Sequence, residues 1–252
     1  NSTSKRFPNG LGNDNGLLGK YVAFQNYRAS VSADVDGYED KYYYGKNPTE
    51  PIIANYKNLH KQETDYAGGY TTFMGAYRGS VDENKLPETI GGSYKDALAE
   101  PGGWRTYMYL QGETIPKESN HVRLSADQKD QWGIPLLITS VQYDDNDERM
   151  CADFLKESAE MLDKAGCKNI KQVNNHQAPG LDIHEMGGCR MGKDPKTSLL
   201  NKWNQMHLCP NVFVTDGACM TSTGNQSPSI LYMALTARAV NHAVEELKKG
   251  SL

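Results

Sequence analysis

The sequence predicts an α+β chain: a mixed or antiparallel sheet flanked by helices, followed by a short strand and one long C-terminal helix. Three observations predict it. Between Trp104 and Tyr143, short β-rich runs are separated by polar turns. From Met150 to Leu162 the apolar residues fall at helical spacing instead. The last stretch, from Pro228 to Lys249, holds no glycine and no further proline, and it reads as one uninterrupted helix.

Taken in order, residues 1–27 hold Gly10, Gly12, Gly16 and Gly19 among Asn and Asp. The run GLGNDNG is only loosely like a nucleotide-binding loop. A dinucleotide fingerprint needs a strand before it, so that backbone amides face a pyrophosphate. Phe7-Pro8-Asn9 offers none, and a turn-rich surface loop is expected. Residues 28–115 mix short apolar stretches with Gly, Tyr and acidic residues, and Trp104–Ile115 (WRTYMYLQGETI) reads as a strand. Val122–Leu124 and Pro135–Tyr143 read as two further strands, with Ser125–Gly133 as the turn between them. Met150, Phe154, Leu155, Met161 and Leu162 line one face of a helix that opens on Asp residues and stops at Gly166. Val212–Val214 reads as a short buried strand running into Thr215-Asp216-Gly217. A polar turn, Thr221–Ser227, then leads to the long helix. Ser227 is placed to cap it, with Pro228 at its first position. Leu231, Leu235, Val240, Val244 and Leu247 are its expected apolar face, and Lys248 and Lys249 complement its negative end.

Composition narrows the function classes. Apolar residues make up 38% and charged residues 23%, which suits a packed globular chain. Net charge is −4 with no basic cluster, so nucleic acid is not an expected partner. No apolar run has the ~18 residues of a membrane span. The five cysteines are odd in number and form no CxxC pair, which favours free thiols in a reducing compartment over a disulfide framework. The compartment, cytoplasmic or periplasmic, stays open. His184, Cys189, His207 and Cys209 could be drawn together as a zinc set on paper. The short paired spacings of structural zinc sites are absent, so no metal is expected. Many of the 15 tyrosines lie between Tyr38 and Tyr109, where they either stack on sugar rings or pack half-buried.

Two segments carry chemistry. One is His184-Glu-Met-Gly-Gly-Cys-Arg-Met-Gly192. The other is Asn211-Val-Phe-Val-Thr-Asp-Gly-Ala-Cys-Met220, followed by Gly224-Asn-Gln-Ser-Pro-Ser229 and the MALTAR helix. In order and separation they resemble the C-terminal end of the glucose-methanol-choline (GMC) oxidoreductases. Closest are the bacterial branches acting on sugars, sugar acids and glycosides. Asn9–Gly19 resembles a loop of that family's flavin segment, and Pro116–Pro135 a stretch of its substrate domain.

The resemblance implies a division into 1–27, a loop returning from an FAD-binding domain; 28–183, the substrate domain; and 184–252, the catalytic and C-terminal FAD-binding segment. The chain opens on Asn1 without an initiator Met, and the glycine-rich strand–turn–helix that grips the ADP half of FAD is expected before it. This piece alone is therefore expected to bind FAD poorly and to turn nothing over. The resemblance further implies hydride transfer from the carbinol carbon of a small carbohydrate or alcohol to FAD, the electrons leaving to an acceptor that stays open. The family's base falls on His184; imidazole suits the task because its pKa lies near neutrality. A second His or Asn usually stands just before the last helix, and that position falls here on Ser227, a departure. Either Asn225 supplies the missing amide or Ser227 acts through its hydroxyl; Asn225 is preferred. Asp216, Gly217, Asn225, Gln226, Pro228 and Ser229 are the expected FAD contacts, the helix start favouring negative charge on a reduced flavin. Arg190 anchors a carboxylate or forms a structural ion pair. The other reading is a carbohydrate-binding or interaction module that kept the fold without catalysis.

Overall fold

The computed structural model describes residues 1–41, 50–79, 81, 86–88, 90–181 and 183–252. Tyr42, Tyr43 and Tyr44 of the tyrosine-rich middle lie outside them. The elements are β1 (Gln25–Asn26), β2 (Ala29–Val35), β3 (Ile52–Ile53), β4 (Tyr70–Arg78), α1 (Gly92–Ala99), β5 (Trp104–Glu113), β6 (His121–Lys129), β7 (Pro135–Ser140), α2 (Asp145–Lys164), β8 (Lys168–Asn174) and α3 (Ser229–Lys248). This is the α+β class expected, with antiparallel sheets and helices. The chain forms two compact units. One comprises 1–26, 113–144 and 178–252; the other comprises 27–112 and 145–177. Residues 113–144 thus group with the two terminal segments, unlike the linear partition drawn from the sequence.

The second unit is a sheet in the order β3-β4-β5-β2-β8, antiparallel at every pairing. Side chains alternate along each strand. Ala29, Val31 and Ala33 of β2 and Met108 and Leu110 of β5 therefore face one way, and α2 lays Met150, Cys151, Phe154 and Leu162 against them. The expected helical face is the one buried. Phe154 is fully buried and meets Tyr70 edge-on at 5.7 Å. The helix ends at Gly166, whose φ of +83° suits the left-handed cap, and Cys167 N–H bonds back to the Leu162 carbonyl. On the opposite sheet face, Phe73 stacks on Tyr109 at 5.2 Å and 8°, and Tyr107 continues the stack. The Glu50 carboxylate accepts from the hydroxyls of Tyr107 and Tyr109.

One charge is half-buried beside this core. Asp153 of α2 accepts from Lys57 Nζ at 2.7 Å, Tyr66 Oη at 2.8 Å and Tyr70 Oη at 2.9 Å. Burial alone would raise its carboxyl, but these three donors outweigh burial and hold it below the usual range.

The first unit is irregular apart from the β6–β7 hairpin and α3. β6 runs on to Lys129, so the turn occupies 130–134 rather than the longer span expected. Val212–Val214 is no strand: only Phe213 forms a bridge, to Gln205, while Met206 N–H donates to the Val212 carbonyl and Val214 N–H to the Asn204 carbonyl. The apolar run is thus satisfied by a local loop. The α3 face also differs from expectation. Leu231, Val240, Val244 and Leu247 are exposed, and the inward stripe is Tyr232, Leu235, Thr236, Ala239 and His242. Polar anchors set that rotation. Thr236 Oγ1 donates to the Thr215 carbonyl at 2.8 Å, and His242 stacks on Trp203 at 4.6 Å.

Asp153 generates an expectation with a definite sign. A carboxyl held below its unfolded value contributes stability above about pH 4, lost as pH falls through the folded value. Asp153→Asn should cost about 2 kcal/mol at neutral pH and flatten this acid-side loss. Urea unfolding between pH 7 and pH 3 checks it.

Candidate functional site

The site is built by backbone pairing around residues 184–191, all within the first unit. On one side Ala23 and Met186 exchange both backbone hydrogen bonds, at 2.8 and 2.9 Å, and Gly188 N–H bonds to the Lys20 carbonyl. On the other side Gly187, Cys189 and Met191 donate to the carbonyls of Gly217, Ala218 and Cys219 at 3.0–3.1 Å. The two sequence motifs are therefore joined main chain to main chain. The close approach requires glycine. A Cβ on Gly187 would lie 2.1 Å from the Tyr21 carbonyl oxygen, and its φ is +84°.

His184 stands at the edge of this ladder in left-handed backbone, φ +70°, a conformation that costs a non-glycine residue about 1 kcal/mol or more. Its ring is half-buried. Burial lowers its pKa from the ordinary value, opposed by the nearby Glu185 charge, so the neutral base form prevails at pH 7. Nδ1 lies 2.5 Å from Gln25 Oε1. The same Gln25 amide donates to the Gln226 carbonyl at 2.8 Å and to the Gly224 carbonyl at 3.3 Å. One buried side chain thus links His184 to the turn before α3. Sequence reasoning missed Gln25, because its partners are set by tertiary pairing and it belongs to no motif.

The other expected residues take different places. Asn225 is buried in that turn, and its Oδ1 accepts from Gln226 Nε2. Ser227 is exposed and does not cap α3. The cap position is Pro228, with no side-chain bond, and the helix begins at Ser229. This corrects the capping expectation: Pro228 itself has helical backbone, which moves the boundary one residue on. The first-turn amides of Ser229, Ile230 and Leu231 are uncapped by any side chain, and Tyr232 N–H bonds to the Pro228 carbonyl. Asp216 caps the 3₁₀ turn Gly217–Cys219 through Ala218 N–H at 3.0 Å. Gly217 packs under Glu185, where a Cβ would meet its carbonyl oxygen at 2.7 Å.

Arg190 forms no ion pair with a described residue. It lies over the Tyr21 ring at 3.6 Å and donates to the Thr197 carbonyl. Burial, with Asp216 and Cys219 nearby, pushes the Cys189 thiol up to about 12, so it stays protonated. All five cysteines are free thiols.

Three features bear on a cofactor. A cavity of about 560 Å³ is lined by Asn9, Gly10, Gly19, Val122, Gly187 and Gly188, among others. Beside Gly217, the buried hydroxyl of Tyr232 has no hydrogen-bond partner. The uncapped helix start and the orphaned buried hydroxyl fit a polar, anionic group such as FAD, while the cavity is lined by other residues.

Comparison with known proteins gives a consistent picture. Residues 116–236 match the family model described as GMC oxidoreductase. A 2-methyl-1,2-propanediol dehydrogenase from Mycolicibacterium austroafricanum is 30% identical over 94% of this chain and 44% of its own. Paromamine 6'-oxidase from Streptomyces fradiae is 29% identical over 98% of this chain and 42% of its own. The fructose dehydrogenase large subunit from Gluconobacter japonicus is 29% identical over 57% of this chain and 26% of its own. The chain thus spans less than half the length of these relatives, and it matches the C-terminal half of GMC oxidoreductases, as its two motifs implied.

The ladder predicts that Gly187→Ala destabilises by about 3 kcal/mol, from clash plus left-handed strain. Gly91→Ala, where a Cβ meets nothing within 4 Å, should stay within about 0.5 kcal/mol. Thermal unfolding of the two variants side by side is the measurement.

Proposed function

From its match to the GMC oxidoreductases over residues 116–236, we propose that this chain is the catalytic half of a flavoenzyme that oxidises a hydroxyl of a sugar, sugar acid or glycoside. The observation that carries the reading is the joining of His184 to the α3 entry turn through Gln25, with the 187–191 and 217–219 backbones paired beneath. FAD, when bound, supplies the acceptor for the carbinol hydride. Asp216, Gly217, Asn225, Gln226, Pro228 and Ser229 would hold it. The uncapped amides of Ser229, Ile230 and Leu231 favour negative charge at the helix start. His184 accepts the hydroxyl proton at Nε2, its lowered pKa keeping it neutral at working pH. Asn225 orients the substrate oxygen through its amide, with Ser227 as the alternative group. A carbohydrate substrate is supported by relatives whose names include a fructose dehydrogenase and a paromamine oxidase.

The test is dye reduction by a panel of sugars and alcohols, using the full-length FAD-loaded protein that contains this sequence. His184→Ala should lower kcat by ~10²-fold or more. The wild type should gain activity from acid pH and level off before pH 7, because the base titrates below its ordinary pKa of about 6.5. Inactivity on every substrate, or an undiminished His184→Ala variant, sinks the reading and favours a carbohydrate-binding module.

A further inference from the structure

We propose that Gln25 is a positioning residue that fixes His184 as its Nδ1–H tautomer, leaving the lone pair on Nε2. The inference rests on His184 being the base. Its premises are geometric. Ala23 and Met186 are an antiparallel pair, so two residues along each chain Gln25 and His184 stand opposite one another on the same side. The Ala23–Met186 pair brings the two segments side by side, and Gln25 Oε1 meets His184 Nδ1 across them. The Gln25 backbone is held in turn by Tyr143 Oη, which donates to its carbonyl at 3.3 Å.

The orientation of the amide follows from its other contacts. Carbonyl oxygens of Gln226 and Gly224 lie 2.8 and 3.3 Å from its nitrogen, and a carbonyl oxygen can only accept. Reversing the amide would set Oε1 against both carbonyls, acceptor against acceptor, and lose both bonds. Oε1 must therefore face the imidazole, 2.5 Å from Nδ1, where it can only accept a proton-bearing nitrogen. In a neutral ring a proton on Nδ1 leaves Nε2 as the acceptor. The Glu185 charge, which raises the ring pKa, neighbours it in sequence and makes no choice between the nitrogens. Gln25 is 1% exposed, so water does not compete for the bond. The left-handed backbone at His184 is consistent with a ring held in one pose by its surroundings.

The tautomer can be read without flavin or turnover, by long-range ¹H–¹⁵N correlation on the ¹⁵N-labelled 252-residue chain above pH 7. His184 is assigned by its loss in His184→Gln. The wild type should show one neutral tautomer, protonated at Nδ1. Gln25→Met, of similar size but with no acceptor, should give a mixture of both tautomers. Gln25→Glu keeps an acceptor and should restore Nδ1–H; its added charge should move the ring pKa upward. A purely structural role predicts that both variants behave alike. The proposal is overturned by a wild-type ring protonated at Nε2, or by a folded Gln25→Met that keeps pure Nδ1–H. Should Gln25→Met not fold, the wild-type tautomer and Gln25→Glu still decide. The two readings fail separately: a wrong tautomer removes the role of Gln25, whereas an active His184→Ala enzyme removes the oxidation chemistry.

Discussion

The first unit depends on one close approach, that of residues 186–191 threaded between 19–23 and 217–219. Backbone bonds on both flanks leave no room for a side chain at Gly187, 2.1 Å from the Tyr21 carbonyl oxygen in the sense of a would-be Cβ. Main-chain contact of this kind carries precision that side-chain packing does not, since neither partner has rotamers to relax through. His184, two residues before the Met186 pair, inherits its position from that ladder. So does the 3₁₀ turn at Gly217, whose carbonyl receives the Gly187 amide.

Much of the second unit was legible in the sequence, and the reason is periodicity. β5 and α2 bury large side chains at spacings of two and of three to four, and both were read correctly. β2 is written in small residues, Ala29, Val31 and Ala33 against Ser30, Ser32 and Asp34, so its alternation carries little hydrophobic signal. The site divides in the same way. His184 and Asp216-Gly217 belong to contiguous motifs and were visible. Gln25 lies some 160 residues from its partner and is defined by tertiary pairing, which no local pattern encodes. The α3 face was misjudged because counting apolar residues ignores polar anchors. Thr236 and His242 hold the inward side, and bulky aliphatics are left outward.

The two units solve burial differently. The second has regular elements and one core in which a carboxylate is accommodated by three donors. The first relies on a cluster of Cys189, Leu199, Leu200, Met206, Cys209 and Cys219 under irregular backbone. Irregular chain leaves more amides and carbonyls to be satisfied one by one. It also leaves more of them free to be aimed at a ligand.

The segment order has a consequence for synthesis. Met186 and Gly188 pair with Ala23, Lys20 and Gly19 across more than 160 residues, so on a ribosome adding ~5–20 residues per second these bonds wait roughly 10–30 s to form. The sheet of β2, β4 and β5 is complete well before then, and α2 and β8 join it before residues 186–188 emerge. Such long-range closure is slow, because chain entropy is lost before the contacts that compensate it form. In a nascent chain, the backbone ladder around residues 186–191 closes late.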